Sequence, residues 1–111
     1  MKCFYQSQRQ KFEGLESWDV SHVKNMVRMF CKAKHFNHDI SNWDVSEIRD
    51  MREMFSGCEN FNQPLDRWNV FKVENMYNMF VGCGALENLP QWYKEWCKKK
   101  SRKHENDEDD N

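Results

Sequence analysis

Trp18, Trp43 and Trp68 stand 25 residues apart, and most of the chain around them keeps the same step. Met29–Phe30, Met54–Phe55 and Met79–Phe80 repeat at that interval, as do Val20, Val45 and Val70, and Met26, Met51 and Met76. Phe36 and Phe61 form a further pair. A fixed period of about 20–50 residues marks a repeat architecture, in which no unit buries its apolar face alone and each must pack on its copies. This feature constrains the fold more than any local propensity does.

Each unit reads in two halves. Ile40, Trp43, Val45 and Ile48 recur with a 3-2-3 spacing, which predicts a short strand entering a turn. Asn25, Asp50 and Asn75 then stand where a helix N-cap would. Met26, Met29 and Phe30, with their counterparts, follow at i, i+3, i+4, which predicts a helix of a turn or two, ended at Gly57 and Gly82. The expected fold is an α/β repeat solenoid of leucine-rich-repeat type: short parallel strands, each followed by a short helix, in three coils with a C-terminal capping helix. Trp18, Trp43, Trp68, Met29, Met54, Met79, Phe30, Phe55 and Phe80 form its structural ladder.

The boundaries follow from where the register holds. Residues 1–11 precede it and read as an N-terminal edge or cap, with Phe4, Tyr5 and Phe12 available to cover the first unit. Residues 12–85 hold three repeats. In 86–97, Leu89, Trp92, Tyr93 and Trp96 fall on one helical face behind Pro90, which predicts an amphipathic cap. Residues 98–111 contain a basic block, then an acidic one, with no apolar side chain, and read as a disordered, solubilising tail. Lys98, Lys99, Lys100, Arg102 and Lys103 also fit the pattern of a nuclear import signal.

Composition excludes some functions. The net charge is -1 with acids and bases evenly mixed, whereas a nucleic-acid binder carries a basic excess on its folded part, so no nucleic-acid partner is expected. No apolar run reaches the ~20 residues of a membrane span. The opening MKCFYQSQRQKFEG lacks the apolar core of a signal peptide. This places the chain in the cytoplasm, or at a surface if it is part of a longer exported protein. Five cysteines, an odd number, fit reduced thiols. Cys58 and Cys83 share a position with Ala33, which reads as a small packing slot.

No phosphate-cradling glycine motif, nucleophile elbow or Cys-x-x-Cys pair is present, and the polar residues recur as ladders, so no catalysis and no cofactor are expected. Cys31, His35 and His38 beside Asp39 have the ligand types for zinc, but the next unit carries Ser56, Asn60 and Gln63 there, so no metal site is assigned. For Asp19, Asp44 and Asn69, backbone hydrogen bonding is a commoner fate than calcium. A binding surface remains. With Trp43 and Val45 inward, Asn42, Asp44 and Ser46 point out, and the next unit adds Arg67, Asn69 and Phe71. An aromatic beside an arginine suits an interface. The competing place for Phe71 is under the C-terminal cap.

The units FNHDISNWDVSEIRDMREMFSGC and FNQPLDRWNVFKVENMYNMFVGC resemble the BspA-like leucine-rich repeat of about 25 residues, found in mycoplasma and other bacterial surface proteins, in protists and in large DNA viruses. The resemblance covers about residues 12–93 and departs from the pattern at Phe71, where Ser21 and Ser46 stand in the other units. It implies a role in adhesion or interaction. The expected function is a non-catalytic protein–protein interaction module for an unidentified protein, working as a monomer. The alternative is a structural or adhesive repeat protein, or a fragment of a longer surface array, in which end-to-end oligomers form.

Overall fold

Two left-handed residues in every repeat decide the backbone. Arg28, Glu53 and Asn78 have φ of 57°, 54° and 55°, and Lys32, Gly57 and Gly82 have φ of 60°, 78° and 80°. Neither a right-handed helix nor a strand passes through that region of backbone space. The structure, a computed structural model, describes the backbone of residues 4–109 and the side chains of residues 4–100.

The expected α/β repeat solenoid is therefore corrected. Among the described residues the regular elements are a 3-10 turn at Leu15–Ser17 and one α-helix, α1, at Gln91–Asp109. Among the described residues strand pairing is confined to two isolated parallel bridges, Asn25 with Asp50 and Asp50 with Asn75, and no sheet forms. The repeats are strings of turns packed into a compact body. The 3-2-3 spacing read as a strand is two consecutive turns: Trp43 N–H donates to Ile40 O and Ile48 N–H to Val45 O, with the same bonds at Trp68–Leu65 and Val73–Val70. The segment read as a helix is a further series of turns, Met29 to Met26, Cys31 to Arg28 and Ala33 to Phe30.

These turns leave alternate N–H groups free for the neighbouring repeat. Met26, Arg28, Phe30 and Lys32 donate to the carbonyls of Asp50, Arg52, Met54 and Ser56, and Met51, Glu53, Phe55 and Gly57 donate to those of Asn75, Tyr77, Met79 and Val81. Asn25, Asp50 and Asn75 cap no helix: each side-chain oxygen accepts the N–H two residues on, at Val27, Arg52 and Tyr77. Between neighbouring repeats, backbone polar groups are thus paired without helix or sheet. Asn37 and Asn62 extend the accounting, their amide oxygens accepting the N–H of Asn62 and Glu87.

The apolar residues form one core with the expected ladder at its centre. Phe30, Phe55 and Phe80 stack at 5.7 and 5.6 Å with near-parallel rings, and Phe36 and Phe61 stack beside them at 5.6 Å. Trp43 and Trp68 are buried, while Trp18 at the end of the row is half-buried. The indole N–H of Trp43 donates to Leu15 O at 2.8 Å, that of Trp68 to Ile40 O at 3.1 Å, and that of Trp92 to Leu65 O at 2.8 Å. Trp92 therefore continues the indole row from the start of α1, stacking on Trp68 at 6.3 Å. At the other end Phe4 stacks on Phe30 at 5.5 Å and Phe12 meets Phe36 edge-on at 4.9 Å.

The helix begins later and runs further than the 86–97 segment, reaching into the charged tail 98–111. Cys3 and the rest of residues 1–3, the side chains of Arg102 and Lys103, and residues 110–111 lie outside the described residues. Among the described residues no helix is long and apolar enough to cross a membrane.

Candidate interaction surface

The residues singled out as outward do lie outside, though turns rather than strand alternation put them there. Asn42, Asp44, Arg67, Asn69 and Phe71 are exposed and Ser46 is half-buried. Each repeat builds the same device around the central acid or amide. Asp19 accepts from the Ser21 hydroxyl at 2.6 Å and from its N–H at 3.0 Å, and Asp44 does the same with Ser46 at 2.5 and 3.0 Å. The serine hydroxyl first, and then the backbone N–H, hold both carboxyls below the usual aspartate range. In the third repeat Asn69 still accepts the N–H of Phe71 at 3.1 Å.

Phe71 has no hydroxyl to fold back, and its side chain projects outward, 92% exposed. It does not pack under α1, whose Trp92 and Tyr93 instead meet Trp68 and Phe80. Beside it, Lys72 spans to Glu47 of the previous repeat at 2.9 Å. Arg67 makes no ion pair among the described residues.

The other candidate groups are accounted for inside the fold. Cys31 is buried, His38 Nε2 lies 2.6 Å from Glu16, and Asp39 accepts the Ser41 N–H at 2.9 Å. Among the described residues no three metal-ligating side chains converge. Cys58 and Cys83 donate to the carbonyls of Phe30 and Phe55 at 2.9 and 3.0 Å. Burial pushes the Cys58 thiol far up and that of Cys83 to about 11, so both stay neutral and unreactive.

One feature escaped the sequence. A cleft of about 470 Å³ opens over the left-handed positions, lined by Arg28, Glu53 and Asn78 with Arg52 and Tyr77. Arg28 and Glu53, both in its lining, form an ion pair between repeats. Read as the outer face of a helix, these positions gave no hint of a concavity. The left-handed backbone that creates it leaves no composition signal when arginine, glutamate and asparagine occupy it.

The family described as "Mycoplasma protein of unknown function, DUF285" matches residues 1–108. The chain belongs to this family. No curated protein and no solved structure matches it. The family description assigns no activity.

Proposed function

We propose that the chain is a non-catalytic protein–protein interaction module, and that its contact surface is the row Asn42, Asp44, Ser46, Arg67, Asn69 and Phe71. The observation that carries this reading is Phe71. A large apolar side chain 92% in water stands where the equivalent serines tie down their own turns. Its burial against a partner removes about 150–250 Å² of apolar surface, and aromatic and arginine side chains are the usual anchors of such contacts. Asp44, Ser46 and Asn69 are held by turn hydrogen bonds, so these side chains lose little freedom on binding. The resemblance to the BspA-like repeat, whose members serve mainly in adhesion and interaction, supports the same reading.

Affinity capture with wild-type chain and with Phe71→Asp as the paired control tests it. The expected result is a protein retained by the wild type and lost with Phe71→Asp, while the two melt within about 0.5 kcal/mol of each other, as exposed sites do. Identical captured sets would remove the proposed role of this surface.

A further inference from the structure

The two ends of the row of repeats are unfinished in complementary ways. In the inner repeats every second N–H of the left-handed segment reaches the next repeat. The equivalent donors of the third repeat are the N–H groups of Met76, Asn78, Phe80 and Gly82, and among the described residues none has a hydrogen bond. An ordinary strand offers N–H and C=O alternately along one edge, so half of its groups would face donors with donors. A segment with the chain's own turn geometry offers carbonyls alone. The N-terminal end supplies such a segment. Ser7 N–H bonds Phe4 O as Ala33 N–H bonds Phe30 O, and Gln6 has φ 57° as Lys32 has φ 60°. Phe4 to Ser7 are thus a fragment of one further repeat, seated on the first through Gln6 N–H and Cys31 O.

Within that equivalence Tyr5 corresponds to Cys31, Ser56 and Val81. The carbonyls of those three residues accept the N–H of Gln6, Lys32 and Gly57. Tyr5 O is the next acceptor in the series, and Gly82 N–H is the next donor. The side chains agree: Tyr5 and Val81 are 43% and 56% exposed, at opposite ends of one column. The first halves complement each other as well. Leu86 to Trp92 lie at the C-terminal end as the opening half of a fourth repeat, while Trp18 at the N-terminal end is half-buried, stacked on Phe4 at 5.7 Å, with no equivalent opening half outside it among the described residues.

We propose that a second copy of this chain docks head to tail, its Tyr5 edge on the Met76–Gly82 edge of the first, with Gly82 N–H donating to Tyr5 O and the Tyr5 ring covering Val81. The contact is heterologous, so it continues from copy to copy. α1 opposes it: Tyr93 on Phe80 at 5.0 Å and Trp96 on Tyr77 at 6.2 Å cover part of the donor row, leaving a cleft of about 200 Å³ above Tyr77 and Asn78. The incoming copy displaces α1 beyond Trp92. This surface is separate from that of Phe71, so neither proposal rests on the other.

Sedimentation velocity of the full chain over a range of concentrations provides the test, with thermal melts to show that each variant folds. Wild type is expected to associate with rising concentration, and Trp96→Ala, which loosens α1, to associate at lower concentration. Tyr5→Arg and Val81→Arg, each with one end blocked, are expected to remain monomers alone. Mixed in equal amounts they form a dimer and nothing larger, because each retains the end that the other lacks. Wild type that stays monomeric at every concentration overturns the proposal. So does a mixture of the two arginine variants that fails to pair while both melt cooperatively, and so does association unaffected by either substitution.

Discussion

Replacing Trp43 by alanine tests the packing of the whole body at its centre. The indole is 4% exposed, stacks on Trp18 at 6.5 Å, lies 6.1 Å from Phe30, and donates to Leu15 O at 2.8 Å. Burying an aromatic of this size withdraws about 150–250 Å² from water, or about 4–6 kcal/mol gross at ~25 cal/mol per Å². Truncating such a residue costs about 3–5 kcal/mol once the cavity is counted. The hydrogen bond is a minor part, because Leu15 O keeps the N–H of Trp18 as a second donor. Trp43→Phe, which keeps an aromatic ring and removes the indole N–H, is therefore expected to cost about 1–2 kcal/mol. For a domain of this size each kcal/mol moves the melting temperature by about 4–8 °C, so Trp43→Ala falls at least about 12 °C below the parent. A domain's total stability is about 5–15 kcal/mol, and the low end of that range leaves the alanine variant unfolded at room temperature. Urea denaturation followed by far-ultraviolet circular dichroism gives both values. If Trp43→Ala melts cooperatively within about 1 kcal/mol of the parent, the indole row is not what holds the repeats together.

Gly57→Ala should destabilise by more than about 1 kcal/mol, since the position has φ 78° and an added Cβ would lie 3.1 Å from Lys32 Cγ and 3.2 Å from Lys32 Cα. A denaturant midpoint equal to the parent's would remove the close approach of these two turns as a structural requirement. On the acid side, Asp19 and Asp44 have their folded pKa values depressed below 3.8, so their contribution is present above that value and is lost as pH falls through the lower, folded one. A stability-against-pH curve should therefore decline below about pH 4, and the decline should be shallower in Ser46→Ala, which removes the hydroxyl nearest Asp44. Superimposable acid limbs in parent and variant would contradict the role given to that hydrogen bond.

The 25-residue spacing determined which residues meet. Trp43 with Trp18, Phe55 with Phe30 and Phe80, and Phe61 with Phe36 are contacts between equivalent positions of neighbouring repeats, and any stacking of equal units in register brings such positions together. The outward direction of Asp44 was legible from its place between buried Trp43 and Val45, whereas the sequence left Phe71 open between the surface and a place under the C-terminal cap. The backbone that carries these contacts was not legible. Met26, Met29 and Phe30 satisfy a helical spacing and Ile40 and Trp43 a strand-like one, yet both spacings arise equally from turns whose first and fourth residues face inward. The choice was made by hydrogen bonds to the neighbouring repeat, which hold Arg28 and Glu53 in a left-handed conformation that their own side chains disfavour. Local propensity contains no term for an acceptor waiting in the next repeat. The tertiary structure alone therefore decided the turns, the cleft over them and the unpaired row from Met76 to Gly82.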